Sequence, residues 1–520
     1  MATKEQTPSG MNALDPLARQ LTLTVEPPSL SDTASDRERL VRALRPHLAD
    51  QTPSFSLNAL RGLGHALRTG DWQVTVTLVD MDDQPWITRI EPGVVIERCL
   101  GLAVDVGTTT ISMEVVDLAT GEVLDTRLAY NGQRQFGADI TSRLMHAEKR
   151  NGLAELHASV LTTLNGLVDE LTGAIGVTRQ VIWAIACAGN TTMAHILLGM
   201  NPSAIRREPY VPVTTVFPTV RAQDVGLNLG EEAILYTLPA VSGYIGGDIT
   251  AGLLATGIAD AEPLSILIDI GTNGETVLGS RDWLMACSGS AGSAFEGCGL
   301  EWGMNATSGA IERLWAEDGQ VHYTTVGGER PRGICGSGLI EGLGSFLAAG
   351  IIDRAGKPNP LAPGVRRGEY HPEILLASAA ETAVGQDIAL RQPDIENLIR
   401  DKAALYAGSR ILLSSMGLSF DDVERVLIAG NFGHSLDIEQ AVRIGLLPDI
   451  PRERIRFIGN SSLDGARLAL LSGQARRRAL EVAGSITTLE LTVEPLYFEE
   501  YTAALFLPHT DLTLFPSSQV

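Results

Sequence analysis

GLAVDVGTTTISMEVVD, residues 101–117, is the stretch around which the rest of the chain is organised. Residues 100–104 alternate as a short buried strand, which ends in the acidic residue Asp105. Gly107 follows as a turn residue, and a second apolar run leads away after three hydroxyl residues, Thr108, Thr109 and Thr110. The pattern predicts a tight β-hairpin with a carboxylate on one side of its turn and hydroxyls and backbone N–H groups on the other.

A turn of this kind suits a phosphate group. Glycine lets the backbone approach a ligand closely, and consecutive N–H groups form a concavity that binds anions. The carboxylate suits a hydrated Mg²⁺ that accompanies the phosphate. An ordinary hairpin, with threonines chosen for their β-propensity, explains the same residues. On this stretch alone, both interpretations stay open.

A second copy of the pattern favours the phosphate interpretation. Residues 265–274, SILIDIGTNG, again run from an apolar strand into Asp269, Gly271, Thr272 and Asn273. Chance does not readily repeat both the motif and its strand context. Two Asp-x-Gly-Thr hairpins far apart in one chain therefore predict two related half-domains that face each other across one nucleotide.

Length and composition bound the class of protein. A chain of 520 residues exceeds what one hydrophobic core serves, so about two to four domains are expected. Its net charge of −22 argues against a nucleic-acid partner, because no basic stripe is present to neutralise phosphates. The phosphate loop GxxxxGK[ST] does not occur in the sequence, which excludes a Walker-type NTPase.

The cysteines are sparse and none is paired as CxxC: Cys99, Cys187, Cys287, Cys298 and Cys335. Such a set predicts reduced, buried thiols and neither a zinc site nor an iron–sulphur cluster. The N-terminal MATKEQTPSG has no hydrophobic signal region, and no run of about 20 apolar residues occurs. We therefore expect a cytoplasmic protein with no membrane partner.

Hydrophobic periodicity divides the chain into segments. In the small N-terminal module, it predicts a strand at 21–25, a helix at 36–48, a second helix whose apolar face carries Leu57, Leu60, Leu63 and Leu67, and a strand at 72–78. The expected organisation is a disordered N-terminus (1–20), a small α+β domain (21–97), the first half of the main domain (98–247), its second half (248–510) and a C-terminal tail (511–520).

Two segments of the first half lie near the predicted turn. The loop at 131–139, NGQRQFGAD, is placed to reach the site. A buried strand at 181–186 runs into the turn Gly189-Asn190-Thr191-Thr192 and a helix. This turn either faces the ligand or caps the helix through Asn190 or Thr191, and both roles are compatible. His195 on that helix is interpreted as a structural histidine.

Residues 240–257, AVSGYIGGDITAGLLATG, predict a crossover helix that joins the halves, with Gly246-Gly247-Asp248 placing a carboxylate at a helix start. Asp248 is either a plain N-cap or a carboxylate that holds the water shell of Mg²⁺ or the attacking water. The small residues Ala251, Gly252 and Ala255 share one helical face and predict a closely packed partner helix. A similar strand, turn and helix is predicted at 457–471, FIGNSSLDGARLALL.

Three further segments of the second half carry candidate contacts. Residues 286–301, ACSGSAGSAFEGCGLE, predict a mobile loop that senses a partner or faces the substrate. Gly336, Ser337 and Gly338 open a helix and suit a diphosphate or ribose at its N-terminus. The strand at 426–433, VLIAGNFG, predicts that Gly430, Asn431 and Gly433 form a wall of an adenine pocket.

The order of these motifs resembles the actin, sugar-kinase and heat-shock-chaperone ATPase superfamily. More narrowly, DVGTTT, ACAGNTTMAHILLG, DIGTNGE, SGSAGSAFEG, ICGSGLIEGL, AGNFG and FIGNSSLDGARLAL resemble the reductive activators of corrinoid proteins, over roughly residues 21–510. The resemblance implies an α/β fold with duplicated ribonuclease-H-like halves, preceded by a small α+β domain. It also implies ATP and Mg²⁺ as cofactors and a corrinoid protein of a methyltransferase system as partner.

The resemblance implies a role for each matched residue. Asp105 and Asp269 would bind the metal and, with Asp248, form the catalytic set. The remaining positions would bind the nucleotide: Gly107, Thr108, Thr109, Thr110, Gly271, Thr272, Asn273, Gly336, Ser337, Gly338, Gly430, Asn431 and Gly433. Members of the family typically carry an iron–sulphur domain, and its cysteine clusters do not occur in this sequence. We therefore expect no iron–sulphur cluster and a separate protein as electron donor.

Three functional hypotheses remain at this point. The first is an ATP-dependent activator that promotes reduction of cob(II)amide to cob(I)amide in a docked corrinoid protein. The second is a small-molecule kinase of the same fold. The third is a nucleotide-gated binding protein with little turnover. The sequence does not decide the oligomeric state, and a homodimer stays open.

Overall fold

The computed structural model describes residues 14–48, 51–95, 97–289, 292–368, 370–430 and 436–518. The strands in these residues are β1 (Ala18–Thr24), β2 (Ser54–Phe55), β3 (Gln73–Met81), β4 (Gln84–Pro92), β5 (Leu100–Val106), β6 (Thr110–Asp117), β7 (Val123–Tyr130), β8 (Ile182–Ala188), β9 (Val220–Arg221), β10 (Ile234–Thr237), β11 (Ser265–Asp269), β12 (Glu275–Ser280), β13 (Trp283–Ser288), β14 (Ala310–Glu317), β15 (Gln320–Thr325), β16 (Gly333–Ile334), β17 (Val365–Arg367), β18 (Pro372–Ala377), β19 (Ile388–Arg391), β20 (Arg425–Ala429), β21 (Ile455–Gly459) and β22 (Ile486–Thr488).

The α-helices of the same residues are α1 (Asp36–Leu44), α2 (Leu57–Thr69), α3 (Ile140–Ala147), α4 (Gly152–Ile175), α5 (Thr191–Leu197), α6 (Gly247–Thr256), α7 (Gly336–Ala348), α8 (Gln392–Ser415), α9 (Ile438–Arg443), α10 (Ser461–Leu471), α11 (Gly473–Ser485) and α12 (Tyr497–Ala504). The chain divides into two compact units. Unit 1 comprises Met1–Ala255 and Ser462–Gly484, and unit 2 comprises Thr256–Ser461 and Ser485–Val520.

A small α+β domain opens unit 1. Its strands pair in the order β1-β3-β4-β2, and α1 and α2 pack on this sheet over a common apolar core. Each helix begins at a serine cap: the Ser35 hydroxyl accepts from the Glu38 N–H in a capping box, and the Ser56 hydroxyl accepts from the Ala59 N–H. The predicted α+β module is therefore confirmed.

Two details of that module differ from the prediction. The first strand begins at Ala18, so residues 18–20 are ordered rather than part of a disordered N-terminus; residues 1–13 lie outside the described part. On α2, the buried stripe is formed by Ala59, Leu63, Ala66 and Leu67, whereas Leu57 and Leu60 are exposed. The helix is rotated toward its alanines, because these allow a closer approach to the sheet.

Each unit contains a six-stranded sheet, and five strands of the two sheets share the same topology. In unit 1 the order is β7-β6-β5-β8-β10-β9, with β5, β6 and β7 antiparallel and β8 and β10 parallel to β5. In unit 2 the order is β21-β20-β11-β12-β13-β22, with β11, β12 and β13 antiparallel and β20 and β21 parallel to β11. Three antiparallel strands followed by two parallel ones occur in both sheets. The fold is thus α/β with duplicated ribonuclease-H-like halves of the actin-like kind, as predicted.

Close helix packing in unit 1 follows from small residues. A Cβ atom on Gly465 of α10 would lie 2.1 Å from the carbonyl oxygen of Ala251 in α6, so the two backbones touch. This contact confirms the packing partner predicted for the small-residue face of α6. Within the predicted segment 240–257, α6 begins at Gly247, at the helix start that Gly246-Gly247-Asp248 indicated. A Cβ on Gly246 would lie 2.4 Å from Asn190 Cα, so the residue before α6 lies against the start of α5.

Candidate functional site: two acidic turns

The first acidic turn joins β5 to β6. The strands are antiparallel, with Asp105 opposite Ser112 and Val106 opposite Ile111, so the predicted hairpin is confirmed. At Gly107 a side chain is excluded, since its Cβ would lie 2.4 Å from the Thr110 carbonyl oxygen. The turn is therefore as tight as the sequence predicts, and it requires glycine at residue 107.

Asp105 lies at the end of β5 with 8% of its surface exposed. Its Oδ1 accepts a hydrogen bond of 2.9 Å from the hydroxyl of Ser462, which lies in the first turn of α10. The bond fixes the carboxylate of β5 to a helix more than 350 residues away in sequence. Ser462 was not among the predicted site residues.

Asn190 contacts the side of the turn that carries the threonine hydroxyls. The Asn190 side-chain amide donates to Thr108 Oγ1 at 2.9 Å, while its Oδ1 accepts from the Met193 N–H at 3.0 Å and caps α5. Asn190 is thus both a helix cap and a contact of the turn, the two roles that the sequence left open. Thr108, Thr109 and Thr110 are all buried.

The loop at 131–139 supports the backbone of the turn. The Asn131 amide donates to the Gly107 carbonyl at 2.9 Å, and the buried Arg143 donates from Nη2 to the Thr108 carbonyl at 2.5 Å. Arg143 Nη1 also donates to the side chain of Gln133. A fixed positive charge beside a turn favours the binding of an anion there.

Asp248 lies in the first turn of α6, one residue inside the helix rather than at its N-cap. Its Oδ1 accepts from the Ile249 N–H at 2.8 Å. Burial raises the pKa of this carboxyl, and the negative charge of Asp105 raises it further. Two buried acidic groups of unit 1 therefore repel each other.

This acidic pair tests whether unit 1 fits the implied Mg²⁺. A divalent cation relieves repulsion between carboxylates, and Mg²⁺ that binds with nucleotide phosphates needs only one or two protein carboxylates. Asp105 can supply one such carboxylate in unit 1, and its repulsion with the neighbouring Asp248 is what a bound cation would relieve. In the described residues, no cluster of three or more His, Cys, Asp or Glu side chains is arranged to hold a metal by itself.

The second acidic turn joins β11 to β12 in unit 2, with Asp269 at the end of β11 and Glu275 at the start of β12. This confirms the second predicted hairpin. The Thr272 hydroxyl donates to the carboxylate of Glu296, which belongs to a 3₁₀ turn at Ser293–Glu296. The predicted loop at 286–301 therefore contacts this turn. The loop begins later than predicted, since β13 continues to Ser288, and residues 290–291 lie outside the described part.

Two other predicted contacts of unit 2 are partly described. Gly336, Ser337 and Gly338 open α7 as predicted, but the Ser337 hydroxyl donates to the Glu312 carbonyl at 2.9 Å. The Ser337 hydroxyl therefore donates its hydrogen bond to the protein backbone. Gly430 follows β20, and its N–H donates to the Gly459 carbonyl. Asn431 and Gly433 lie outside the described residues.

The remaining predictions concern His195, the cysteines and membrane-spanning segments. His195 donates from Nδ1 to the Thr191 carbonyl at 2.7 Å and accepts the Val213 N–H at Nε2, so its structural role is confirmed. The five cysteines all lie in the described residues and form no disulfide; four are buried and Cys298 is partly exposed. Within the described ranges, no helix is both long and apolar enough to cross a bilayer.

Of the site residues that the sequence did not predict, Ser462 lies in a turn that repeats an earlier one. The turn before α5 reads GNTT at 189–192, and the turn before α10 reads GNSS at 459–462. The two turns deliver Asn190 and Ser462, respectively, to opposite sides of the first acidic turn. The likeness of the two turns indicates that the GNSS turn, which contains Ser462, also contacts the site. Glu296 and Arg143 give no comparable local signal.

Comparison with known proteins assigns every segment to one family. Residues 11–95 match the RACo linker region, residues 100–261 match the RACo middle region, and residues 263–519 match the C-terminal domain of RACo, the ASKHA domain. A solved structure of a reductive activator for corrinoid, iron-sulfur protein is 43% identical, with a TM-score of 0.94 over 97% of this chain and 81% of that chain. The chain belongs to the RACo family.

Two curated relatives extend the RACo comparison. The corrinoid activation enzyme RamQ of Eubacterium limosum is 31% identical over 77% of this chain and 69% of its own length. The [Co(II) methylated amine-specific corrinoid protein] reductase of Methanosarcina barkeri is 25% identical over 74% of this chain and 73% of its own length. The family resemblance drawn from the sequence motifs is thereby confirmed.

Proposed function

We propose that this RACo-family chain is a cytoplasmic, ATP-dependent activator of a corrinoid protein. It docks the corrinoid protein of a methyltransferase system and promotes reduction of inactive cob(II)amide to cob(I)amide. A separate redox protein supplies the electron. The observation that carries the proposal is the first acidic turn, built around Asp105 and held by Asn190 and Ser462, in a chain of this family.

The two turns are the proposed phosphate-binding elements. Backbone N–H groups and hydroxyls of Gly107 and Thr108–Thr110 contact phosphate in unit 1, and those of Gly271, Thr272 and Asn273 do so in unit 2. Asp105 in unit 1 and Asp269 in unit 2 are the carboxylates proposed to bind Mg²⁺, which would neutralise phosphate charge. Gly336, Ser337, Gly338, Gly430, Asn431 and Gly433 remain the proposed contacts of the rest of the nucleotide.

Asp248 is proposed to orient the attacking water. Its carboxyl is buried beside Asp105, and burial together with that charge raises its pKa. A carboxylate with a raised pKa is better suited to accept a proton from water. The Asp248→Asn variant is expected to bind nucleotide and to lose hydrolysis.

Nucleotide binding and corrinoid-protein binding are proposed to be thermodynamically linked. A nucleotide shifts the conformational equilibrium only by its differential affinity for the two states, and the partner senses that shift reciprocally. ATP hydrolysis and corrinoid binding are therefore expected to change each other. The chain's role is to alter the environment of the cobalt while an external donor reduces it.

The test measures phosphate release by the purified chain with and without a candidate corrinoid protein. Stimulation of hydrolysis, together with ATP- and donor-dependent formation of cob(I)amide in the absorption spectrum, supports the proposal. Product analysis separates the alternatives, since a kinase transfers phosphate to an acceptor other than water. Tight nucleotide binding without turnover in the presence of partner and donor would instead identify a nucleotide-gated binding protein.

A further inference from the structure

The second acidic turn is contacted by an acidic side chain that its own motif does not contain. The Thr272 hydroxyl donates a hydrogen bond to the Glu296 carboxylate. A threonine hydroxyl carries one proton, so it donates to one acceptor at a time. A phosphate oxygen that takes this hydrogen bond must therefore replace the carboxylate.

The backbone that carries Glu296 is fixed against the turn. A Cβ on Gly292 would lie 2.1 Å from the Gly271 carbonyl oxygen, so the segment touches the turn and tolerates only glycine there. Gly292 also has a φ of +138°, which L side chains rarely adopt. The Asp401 carboxylate of α8 accepts the N–H groups of Ala294, at 2.7 Å, and of Gly292.

The backbone of this segment is fixed, whereas the contact between Glu296 and Thr272 involves only their side chains. The backbone at 292–294 is held by Asp401 and by contact with Gly271. Glu296 meets Thr272 through its side chain, which has three rotatable bonds. The carboxylate can therefore leave the hydroxyl without displacement of the 3₁₀ turn.

We propose that Glu296 is a specificity-determining residue that makes the second turn select metal-bound over metal-free nucleotide. This inference rests on the proposed function, since it takes Thr272 as a phosphate contact. A carboxylate beside a phosphate repels it, and the repulsion is largest for the fully charged, metal-free polyphosphate. Bound Mg²⁺ neutralises two negative charges of the nucleotide and so weakens the repulsion between the phosphates and the Glu296 carboxylate.

The experiment is calorimetric titration of ATP into the full chain, once with Mg²⁺ and once with a chelator. Glu296→Gln keeps an acceptor for the Thr272 hydroxyl and removes the charge. We expect it to bind metal-free ATP about tenfold more tightly than the wild type, the size of one partly screened charge interaction. Its affinity for Mg·ATP is expected to change by no more than about threefold. A purely structural role would lower both affinities together.

Glu301→Gln is the matched control. Glu301 belongs to the same loop, lies partly exposed and pairs with Arg391 at 3.0 Å, so its charge is removed without touching the turn. It should retain the wild-type ratio of the two affinities. If Glu296→Gln does not fold, Glu296→Ala also removes the charge and should shift the ratio in the same direction.

The outcomes separate this inference from the function on which it rests. Wild-type binding of ATP with an unchanged ratio in the Glu296 variants overturns the role of Glu296 and leaves the proposed function standing. A wild type that binds no adenine nucleotide in either buffer overturns both. A tenfold change confined to the metal-free titration supports the assignment.

Discussion

The Gly465→Ala substitution probes the helix contact beside the first acidic turn. The new Cβ would lie 2.1 Å from the Ala251 carbonyl oxygen and 2.5 Å from its Cα, so α10 and α6 must separate by about 1 Å to restore ordinary contact. The neighbouring atoms belong to the backbone and cannot rotate away. We therefore take the upper part of the usual overpacking cost, about 3 kcal/mol. Better helix propensity returns about 1 kcal/mol, which leaves a net loss of about 2 kcal/mol.

Gly166→Ala supplies a control of opposite sign. Gly166 lies inside α4, where a Cβ would meet no atom within 4 Å. Only the propensity gain applies there, so this variant should be about 0.5–1 kcal/mol more stable. Thermal unfolding followed by circular dichroism measures both, with an expected fall of roughly 4 °C for Gly465→Ala and a rise of about 1–2 °C for Gly166→Ala.

The same substitution should also weaken the site. Ser462 lies three residues before Gly465, and its 2.9 Å hydrogen bond to Asp105 tolerates a displacement of only about 0.5 Å. Gly465→Ala is therefore expected to lower ATP affinity, whereas Gly166→Ala is not. A Gly465→Ala protein as stable as the wild type, or stabilised like the control, would show that the two backbones are not in contact.

Two predictions concern α8. Burial raises the pKa of Asp401 to about 6, so the folded state takes up a proton between about pH 4 and 6 that the unfolded state does not, and stability falls as pH rises through this window. Between pH 5 and 7, Asp401→Asn should remove about 1.3 kcal/mol of that pH dependence, measured as the wild-type-minus-variant difference in urea unfolding free energy at the two pH values. Lys402 is buried, and its Nζ donates to the carbonyls of Ala504, Phe506 and Pro508 at 2.5 to 2.9 Å. Lys402→Met leaves these carbonyls without that donor and should cost about 2–4 kcal/mol, with faster amide hydrogen exchange at 497–508; unchanged exchange there would contradict this role.

The hairpins were predictable because their information is local. About ten consecutive residues specify each acidic turn: an apolar strand, an aspartate, a glycine and hydroxyl residues. The duplicated topology followed from the recurrence of that pattern. The partner of the α6 small-residue face was predictable in kind for the same reason, since a run of small residues has few other uses in a buried helix.

The site contacts that the sequence did not predict join distant segments. Glu296 reaches Thr272 across 24 residues of chain, through a loop whose course is set by Asp401 on α8. No periodicity or local motif encodes such contacts, because they arise only when the whole unit has folded.

Binding of Mg·ATP to the purified chain and to its Asp105→Asn variant tests the central claim most directly. Asparagine keeps the shape of the carboxylate and an acceptor for the Ser462 hydroxyl, so the fold should persist while the metal loses its ligand. Isothermal titration calorimetry is expected to show saturable 1:1 binding by the wild type and at least about tenfold weaker binding by the variant. Equal affinities, or a wild type that binds no ATP, would contradict the account.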